Sequence, residues 1–272
     1  MLKKLKGRLL DIFILILTIP IIVPFYMLVV NSFKTKAEAA EMNLRLPIEW
    51  NIIGNYTTMA QVGKIFTGFK NTVIITALSV SLTIIISSLT ALIIQRRKEK
   101  ISNYFLMFFL LGIFIPRFTV PTVLLIQSFH IPKLLGLILI NIVGGLPMGL
   151  FLYVGYLKSI PQEIDEAAII DGCGLFKLYT NIIMPLITPI TATYAIISIL
   201  GVWNDFEMPL YLLSGSENQT ITLAMYNFFG PYSADWNLVF ACIVASTLPV
   251  IIIYLVLQKY IISGMVGGSI KG

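Results

Sequence analysis

The sequence predicts an all-α, polytopic membrane protein of about six transmembrane helices. Of its 272 residues, 57% are hydrophobic and only 12% are charged, and the mean hydropathy is +0.91. A soluble domain carries roughly a quarter charged residues, so this chain has too little polar surface to cover a soluble globule. Apolar runs recur from one end to the other, without a polar block large enough to fold separately. We therefore expect a single transmembrane domain over residues 1–272.

Six apolar runs have the length of a membrane-crossing helix, which needs about 20 residues to cross about 30 Å of hydrocarbon. They are Leu9–Val30, Thr72–Ile94, Tyr104–Ile126, Leu134–Leu157, Ile183–Trp203 and Leu238–Leu257. In lipid every backbone N–H and C=O must be paired within the structure, so runs of this length are predicted as helices. The first run follows a basic segment, as in a signal peptide, but it is too long for one and lacks a cleavage site. We expect a retained first helix.

Proline residues interrupt several of these predicted spans. They are Pro20, Pro24, Pro116, Pro121, Pro147 and Pro249. Proline kinks a helix, and small polar residues let helices pack closely. Two interpretations remain: ordinary helix packing, or kinks that line a pathway which changes shape.

Charged residues predict the orientation, because Lys and Arg near the ends of spans favour the cytoplasmic side. Basic residues cluster before the first span and between the second and third, which places the N-terminus and the loop at about 158–182 inside. Residues 204–237 hold four acidic residues and no Lys or Arg. We expect the outer loops at about 31–70 and 204–237, with both termini cytoplasmic.

The 158–182 loop has the pattern of two short helices joined by a turn. Ser159 can cap the first helix, Pro161 suits its first turn, and acidic residues follow near the positive end of the helix dipole. They are Glu163, Asp165 and Glu166. Gly172 stands where a helix commonly ends in a left-handed conformation, and Leu175–Ile183 can form a second helix. A helical elbow is predicted.

The residues of this elbow follow a known register. Glu166-Ala167-Ala168 is followed after three intervening residues by Gly172, then after nine further intervening residues by Ile182, with Pro185 three positions further on. The loop thereby resembles the signature of the permease family of ATP-binding-cassette importers, with Met184 in place of the usual Leu. The resemblance implies a type I importer permease fold, in which this loop docks into the ATPase subunit. The implied coupling residues are Glu163, Glu166, Ala167, Ala168, Asp171, Gly172, Ile182 and Pro185. Two adjacent alanines would let a partner approach closely. The alternative is an amphipathic loop resting on the membrane surface.

Further short motifs resemble the sugar branch of that family. They are Asn71-Thr72, Ile160-Pro161, Ile170-Asp171-Gly172, Trp203-Asn204-Asp205 with Pro209-Leu210, and the ending Gly267–Gly272. The resemblance implies import of a sugar or oligosaccharide across a bacterial-type plasma membrane. It also implies several partners: a second, non-identical permease, two ATPase subunits and an external sugar-binding protein. ATP and Mg would be used by the ATPase, and this chain would bind no cofactor itself.

The sequence lacks the patterns of several other chemistries. It contains no phosphate-binding glycine loop, and His130 is the only histidine, so we expect no catalytic residues and no metal site. The basic residues flank apolar spans, which does not favour nucleic-acid binding. The span centres are almost free of charge, which does not favour a proton path. Arg117 is the exception, and its span could instead end near Pro116.

A sugar pathway needs hydrogen-bonding side chains and an aromatic face that packs on the ring. Candidate residues at the outer ends of the second and fifth spans are Asn71, Trp203, Asn204, Asp205, Glu207 and Tyr211. A structural interpretation stays open, in which Trp203 belongs to the interfacial belt and Asn204 caps a helix. The functional rivals are an importer of another solute, an ion-coupled secondary transporter and a membrane-embedded enzyme.

Overall fold

The computed structural model describes residues 2–62, 64–97, 99–215, 217–230 and 234–269, with the side chains of Asp11 and of residues 14–260 in those ranges. The helices are α1 Leu2–Asn31, α2 Lys36–Ala40, α3 Ile52–Val62, α4 Ile65–Arg96, α5 Lys100–Phe114, α6 Thr119–Ser128, α7 Lys133–Leu157, α8 Glu163–Ile170, α9 Leu175–Lys177, a π-helical segment Leu178–Ile183, α10 Met184–Leu186, α11 Thr188–Trp203, α12 Glu207–Leu213, α13 Ile221–Tyr226 and α14 Trp236–Ser269. The predicted all-α class is confirmed. The end of the tail motif, residues 270–272, lies outside the described residues.

Within the part of the chain that the structure describes, four helical segments are long and apolar enough to cross a membrane. They are Ile14–Asn31, Ile65–Arg96, Lys133–Leu157 and Trp236–Tyr260. Two bent helix pairs bring the number to as many as six if each pair forms one span. The first, second, fourth and sixth predicted spans are therefore confirmed as long apolar helices. The third and fifth are not continuous helices.

The third predicted span breaks at Pro116. Helix α5 ends at Phe114, α6 begins at Thr119, and the two helices are bent by 116°. Ile115 has an extended backbone (φ −79°, ψ 121°), as expected for the residue before a proline. The prediction of one helix through Tyr104–Ile126 is wrong, because the proline lacks the N–H that would continue the helix. The alternative, a span that ends near Pro116, agrees with the structure.

The fifth predicted span bends at Ile187, where the α9–α10 segment meets α11 at 78°. Pro189 lies in the first turn of α11, a position that needs no backbone N–H donor. The preceding π-helical segment is itself uncommon, since such segments mark local rearrangements of the helical hydrogen bonds. Helical structure therefore runs almost without interruption from the 158–182 loop into this span.

The chain folds into two compact units. One comprises Met1–Phe69 with Leu223–Pro249, and the other Lys70–Thr222 with Val250–Gly272. The prediction of a single domain over residues 1–272 stays a prediction. The second unit contains the 158–182 loop and the predicted pathway residues.

The core of the second unit lies where α7 and α11 pack together. Tyr153 and Tyr194 are fully buried and pack edge to face, with ring centroids 5.8 Å apart. Tyr194 donates a hydrogen bond to the Gly145 carbonyl (2.8 Å). At Gly149 an added Cβ would lie 2.7 Å from the Ser87 hydroxyl, so only glycine permits this close approach. The small residues of these spans therefore serve close packing, as one interpretation of the sequence proposed.

The first unit contains a buried lysine just after α1. The ammonium of Lys34 donates to Asn31 Oδ1 (2.9 Å), Asn43 Oδ1 (2.8 Å) and the Asn43 carbonyl (3.0 Å). Burial lowers the pKa of Lys34, although the nearby carboxylates of Glu38 and Glu41 act in the opposite direction. Three neutral oxygens thus satisfy the three donors of this group.

Candidate functional site

Helix α8 of the 158–182 loop carries its negative charge in its first turn, as predicted. Glu163, Asp165 and Glu166 all lie there, where carboxylates stabilise the positive end of the helix dipole. The predicted cap by Ser159 is wrong. Its hydroxyl donates back to the Tyr156 carbonyl (2.8 Å), because the end of α7 is closer than the start of α8.

The inner side of α8 is anchored to α4. Asp165 accepts two hydrogen bonds from Arg96, from Nε to Oδ2 (2.5 Å) and from Nη2 to Oδ1 (3.3 Å). The two side chains, of Arg96 and Asp165, are only 18% and 10% exposed. Ala168, one turn further along α8, is buried in the same core as Leu157 and Leu178. The inner side of α8 is therefore not available to a partner.

A tight turn ends α8 at Gly172, which has φ +77°. The Gly172 N–H bonds to the Ile169 carbonyl (3.0 Å), and the Cys173 N–H bonds to the Ala168 carbonyl (2.9 Å). These two bonds form a Schellman motif, whose left-handed residue is usually glycine. The predicted left-handed role of Gly172 agrees with the structure.

The outer side of this elbow is exposed and mixes acidic with apolar residues. We call it the exposed knob and define it as Glu163, Glu166, Ala167, Ile169, Ile170, Asp171, Leu175 and Phe176. Ile170 is 84%, Leu175 80% and Phe176 78% exposed. Large exposed apolar side chains beside charges are typical of a protein or membrane contact surface.

The structure divides the predicted coupling residues between this knob and the interior. Ala167 is exposed, but Ala168 is 7% exposed and packs inside the chain. The expectation that both alanines face a partner is therefore wrong for Ala168, because successive helix residues point in different directions. Ile182 packs against the core, and Pro185 is exposed in α10.

A groove of about 490 Å³ lies between α4 and this elbow. Its walls are Leu92, Ile93, Arg96 and Arg97 from α4 and the residue after it, and Gln162, Asp165, Glu166, Ile169, Leu175 and Leu178 from the loop. Two arginines of different environment thus border the groove: Arg97 is exposed, whereas Arg96 is ion-paired.

The predicted pathway residues have different environments. Trp203 is 3% exposed, so its ring offers neither a free face to a sugar nor an interfacial position. Asn71 is also buried and donates to the Gln219 carbonyl (3.0 Å). Asn204 and Tyr211 are exposed, and Asn204 occupies the C-cap position of α11. The structure does not bring all of these side chains onto one accessible surface.

The two carboxylates of this segment meet residues from the broken third span. Arg117 Nη1 lies 3.8 Å from Asp205 Oδ2, and the Thr119 hydroxyl donates to Glu207 Oε1 (2.6 Å). Burial raises the pKa of Asp205, while Arg117 partly offsets this rise. Nothing in the sequence singles out Thr119, because its role depends on the packing of α6 against α12.

Arg117 also borders a cleft of about 720 Å³ beside α5, α6 and α7. Its other lining residues are largely apolar and include Phe108, Phe118 and Pro147. The Arg117 side chain is 58% exposed, so the end of the broken span leaves this cation accessible.

Long apolar helices, two bent pairs and an ordered, exposed elbow together define a polytopic membrane protein with a contact surface outside its spans. Comparison with a family model identifies the kind of membrane protein more specifically. The chain belongs to the family described as binding-protein-dependent transport system inner membrane component, whose model matches residues 83–267. The match includes the entire 158–182 loop.

Curated relatives extend over nearly the full chain. The chain is 38% identical to the "Probable starch degradation products transport system permease protein AmyC" of Thermoanaerobacterium thermosulfurigenes, over 94% of each chain. It is 35% identical to the "Melibiose/raffinose/stachyose import permease protein MelC" of Bacillus subtilis, over 92% of this chain and 91% of the relative.

A solved structure supports the fold. It is titled "Crystal structure of a bacterial ABC transporter involved in the import of the acidic polysaccharide alginate". The TM-score is 0.78 at 20% identity, and the match covers 94% of this chain and 96% of the other. The predicted ATP-binding-cassette importer permease fold is confirmed.

Proposed function

We propose that this chain is the permease subunit of an ATP-binding-cassette importer for a sugar or oligosaccharide. The transport role follows from the family. The substrate class follows from the two relatives, whose names refer to starch degradation products and to melibiose, raffinose and stachyose. The chain contributes half of the translocation pathway and is not itself a catalyst.

The observation that carries this proposal is the exposed knob. It leaves several large apolar side chains uncovered by the rest of the chain, while a buried ion pair and the Gly172 turn keep its backbone ordered. Such a surface fits a cleft lined with apolar groups and basic or backbone N–H donors. The knob is therefore the docking surface for the ATPase subunit. The buried Ala168 contributes by packing α8 against the core, not by contacting the partner.

The proposed orientation places the 158–182 loop and both termini in the cytoplasm. It rests on the positive-inside bias and on the acidic outer segment 204–237. Two ATPase subunits, which use ATP and Mg, and a second, non-identical permease complete the membrane complex. A sugar-binding protein delivers the substrate to the outer side.

Among the predicted pathway residues, the exposed ones are the better candidates for direct sugar contact. Asn204, Glu207 and Tyr211 are accessible, and Arg117 extends the same group through its contact with Asp205. In this conformation Asn71 is buried and bonds to the Gln219 backbone, and Trp203 is buried, so neither side chain is accessible to a sugar. Guanidinium, amide and carboxylate groups are all able to bind sugar hydroxyls.

Reconstitution with the candidate ATPase, second permease and binding protein tests the function. We expect uptake of a labelled oligosaccharide that requires ATP and survives collapse of the ion gradients. Uptake that persists without ATP would indicate a secondary transporter instead. Binding-protein-dependent uptake of only a non-sugar solute would contradict the substrate class.

Docking is tested separately with Glu166→Lys, which reverses one charge of the exposed knob. We expect loss of ATPase co-purification while membrane insertion is unchanged. Lys158→Glu, also exposed but outside the knob, is the control for a charge reversal nearby. Full ATPase attachment and uptake in Glu166→Lys would remove the docking role.

A further inference from the structure

Arg96 links α4 to two neighbouring points of the 158–182 loop that are distant from α4 in sequence. It is the last residue of α4, and its guanidinium forms two hydrogen bonds with Asp165 in α8. A third nitrogen, Nη1, donates to the Ile160 carbonyl (3.3 Å) in the segment that leads from α7 to α8. The planar guanidinium thus holds both the start of α8 and the chain entering it.

A second contact joins α4 to the other end of the 158–182 loop. The hydroxyls of Ser88 and Tyr179 are 2.8 Å apart, and Tyr179 belongs to the π-helical segment that follows α9. Ser88 lies about two helical turns before Arg96 on α4. Helix α4 therefore contacts the loop on both sides of the knob, although no peptide bond joins them directly.

The Arg96–Asp165 pair differs from the surrounding basic residues. Both its side chains are largely buried, so solvent screens the pair weakly, and its two-bond geometry fixes direction as well as distance. The neighbouring Arg97 is exposed, and among the described residues its side chain forms no ion pair. If Arg96 served only to add positive charge near the membrane, it would not need to be held by an ion pair with Asp165.

We propose that Arg96 is a positioning residue that makes α4 move together with the 158–182 loop when the ATPase subunits close. The proposal rests on the proposed docking function of the loop. Helices α7 and α11 receive that motion through the chain itself, whereas α4 receives it mainly through Arg96, with smaller contributions from the Ser88 contact and from Ala91, which is buried in the same core as Ala168. Without the pair, α4 follows the loop incompletely.

The test uses the complete importer in proteoliposomes and compares Arg96→Met/Asp165→Leu with Arg97→Met. Arg96→Met alone would leave Asp165 buried without its partner and would lower the amount of folded protein. Replacing both partners of a buried ion pair by apolar residues avoids this unpaired charge and is often neutral for stability. We expect the double variant to keep its ATPase attachment, but to import about tenfold less sugar per ATP hydrolysed, a typical coupling effect between sites. Arg97→Met should match the unmodified chain.

A distance measurement then tests the shared movement of α4 and the loop. Nitroxide labels are placed at Ile86 on α4 and at Lys158, the first residue of the loop, both exposed, in a complex without other cysteines. We expect the same label distance with and without ATP in the unmodified chain, and an ATP-dependent change in the double variant.

The outcomes separate this proposal from the docking function. One outcome would overturn only the role of Arg96 and leave the docking function intact. In that outcome Glu166→Lys loses ATPase attachment, while the double variant keeps normal coupling and an unchanged label distance. ATPase attachment that never depends on the knob would instead contradict the proposed function. Full coupling in the double variant would mean that the ion pair is only structural.

Discussion

Replacement of Gly172 by alanine is expected to weaken ATPase attachment through the backbone alone. Gly172 has φ +77°, and a Cβ added there would meet nothing within 4 Å. A side chain at this position therefore meets no steric obstacle beyond its own residue and the two adjacent residues. The left-handed conformation itself costs an L-residue about 1–2 kcal/mol.

That strain sets the size of the effect. If Gly172→Ala relieves it by leaving the left-handed conformation, the Schellman bonds of Cys173 and Gly172 are lost and the knob changes shape. A cost of about 1–2 kcal/mol lowers the ratio of docking-competent to altered knob conformations by a factor of about 5–30. The apparent Kd for the ATPase rises by up to the same factor, because only the docking-competent population binds.

The assay is the Kd of the purified ATPase for the permease pair in nanodiscs. Gly172→Asn should have a smaller effect than Gly172→Ala, since asparagine tolerates the left-handed region better. Gly174→Ala is the matched control: a Cβ there also meets nothing within 4 Å, but the backbone is extended (φ −70°, ψ 157°). Equal weakening by Gly172→Ala and Gly174→Ala would refute the backbone argument, as would an asparagine variant no better than alanine.

Three further predictions concern stability, each measured as thermal unfolding of the purified chain in detergent. Gly149→Ala should destabilise the chain by about 1–3 kcal/mol, because the added Cβ overpacks against α4. Gly155→Ala is the control and should have no such effect, because a Cβ there meets no atom within 4 Å. Equal effects of the two variants would contradict the packing argument. Lys34→Met should lower the free energy of unfolding by about 1–3 kcal/mol, because the buried oxygens that accept from Lys34 lose their donor. Lys36→Met breaks only an exposed ion pair and should lower the free energy of unfolding by at most about 1 kcal/mol. Burial raises the pKa of Asp205 above its ordinary value of 3.8, so ionisation opposes folding at neutral pH and this penalty disappears as pH falls through the raised pKa. Asp205→Asn should therefore be more stable than the unmodified chain at pH 7, by a margin that shrinks toward pH 4; a constant margin would contradict the assigned cause.

The broken third span shows how far local signals reach. Pro116 predicts that a helix can end there, because the missing N–H is a property of one residue. The same signal does not distinguish a kink from a break, and Pro147 lies inside the continuous helix α7. The bend of 116° depends on how α6 packs, and α6 packs against α12 far along the chain.

The site shows the same division between local and distant information. The acidic first turn of α8 and the left-handed Gly172 follow from interactions within a few residues, and the sequence predicts both. Which alanine faces inward depends on the core against which α8 packs. Likewise, the burial of Trp203 depends on residues outside its own helix.

By itself, the sequence determined the helical class, most of the long spans and the turn of the elbow, because apolar length, proline and glycine act through the local backbone. Only the tertiary structure decided that Arg96 pairs with Asp165, 69 residues away, and that Thr119 bonds to Glu207, 88 residues away. Such pairs form when packed helices bring distant side chains within about 3 Å of each other, a distance that no spacing along the chain encodes.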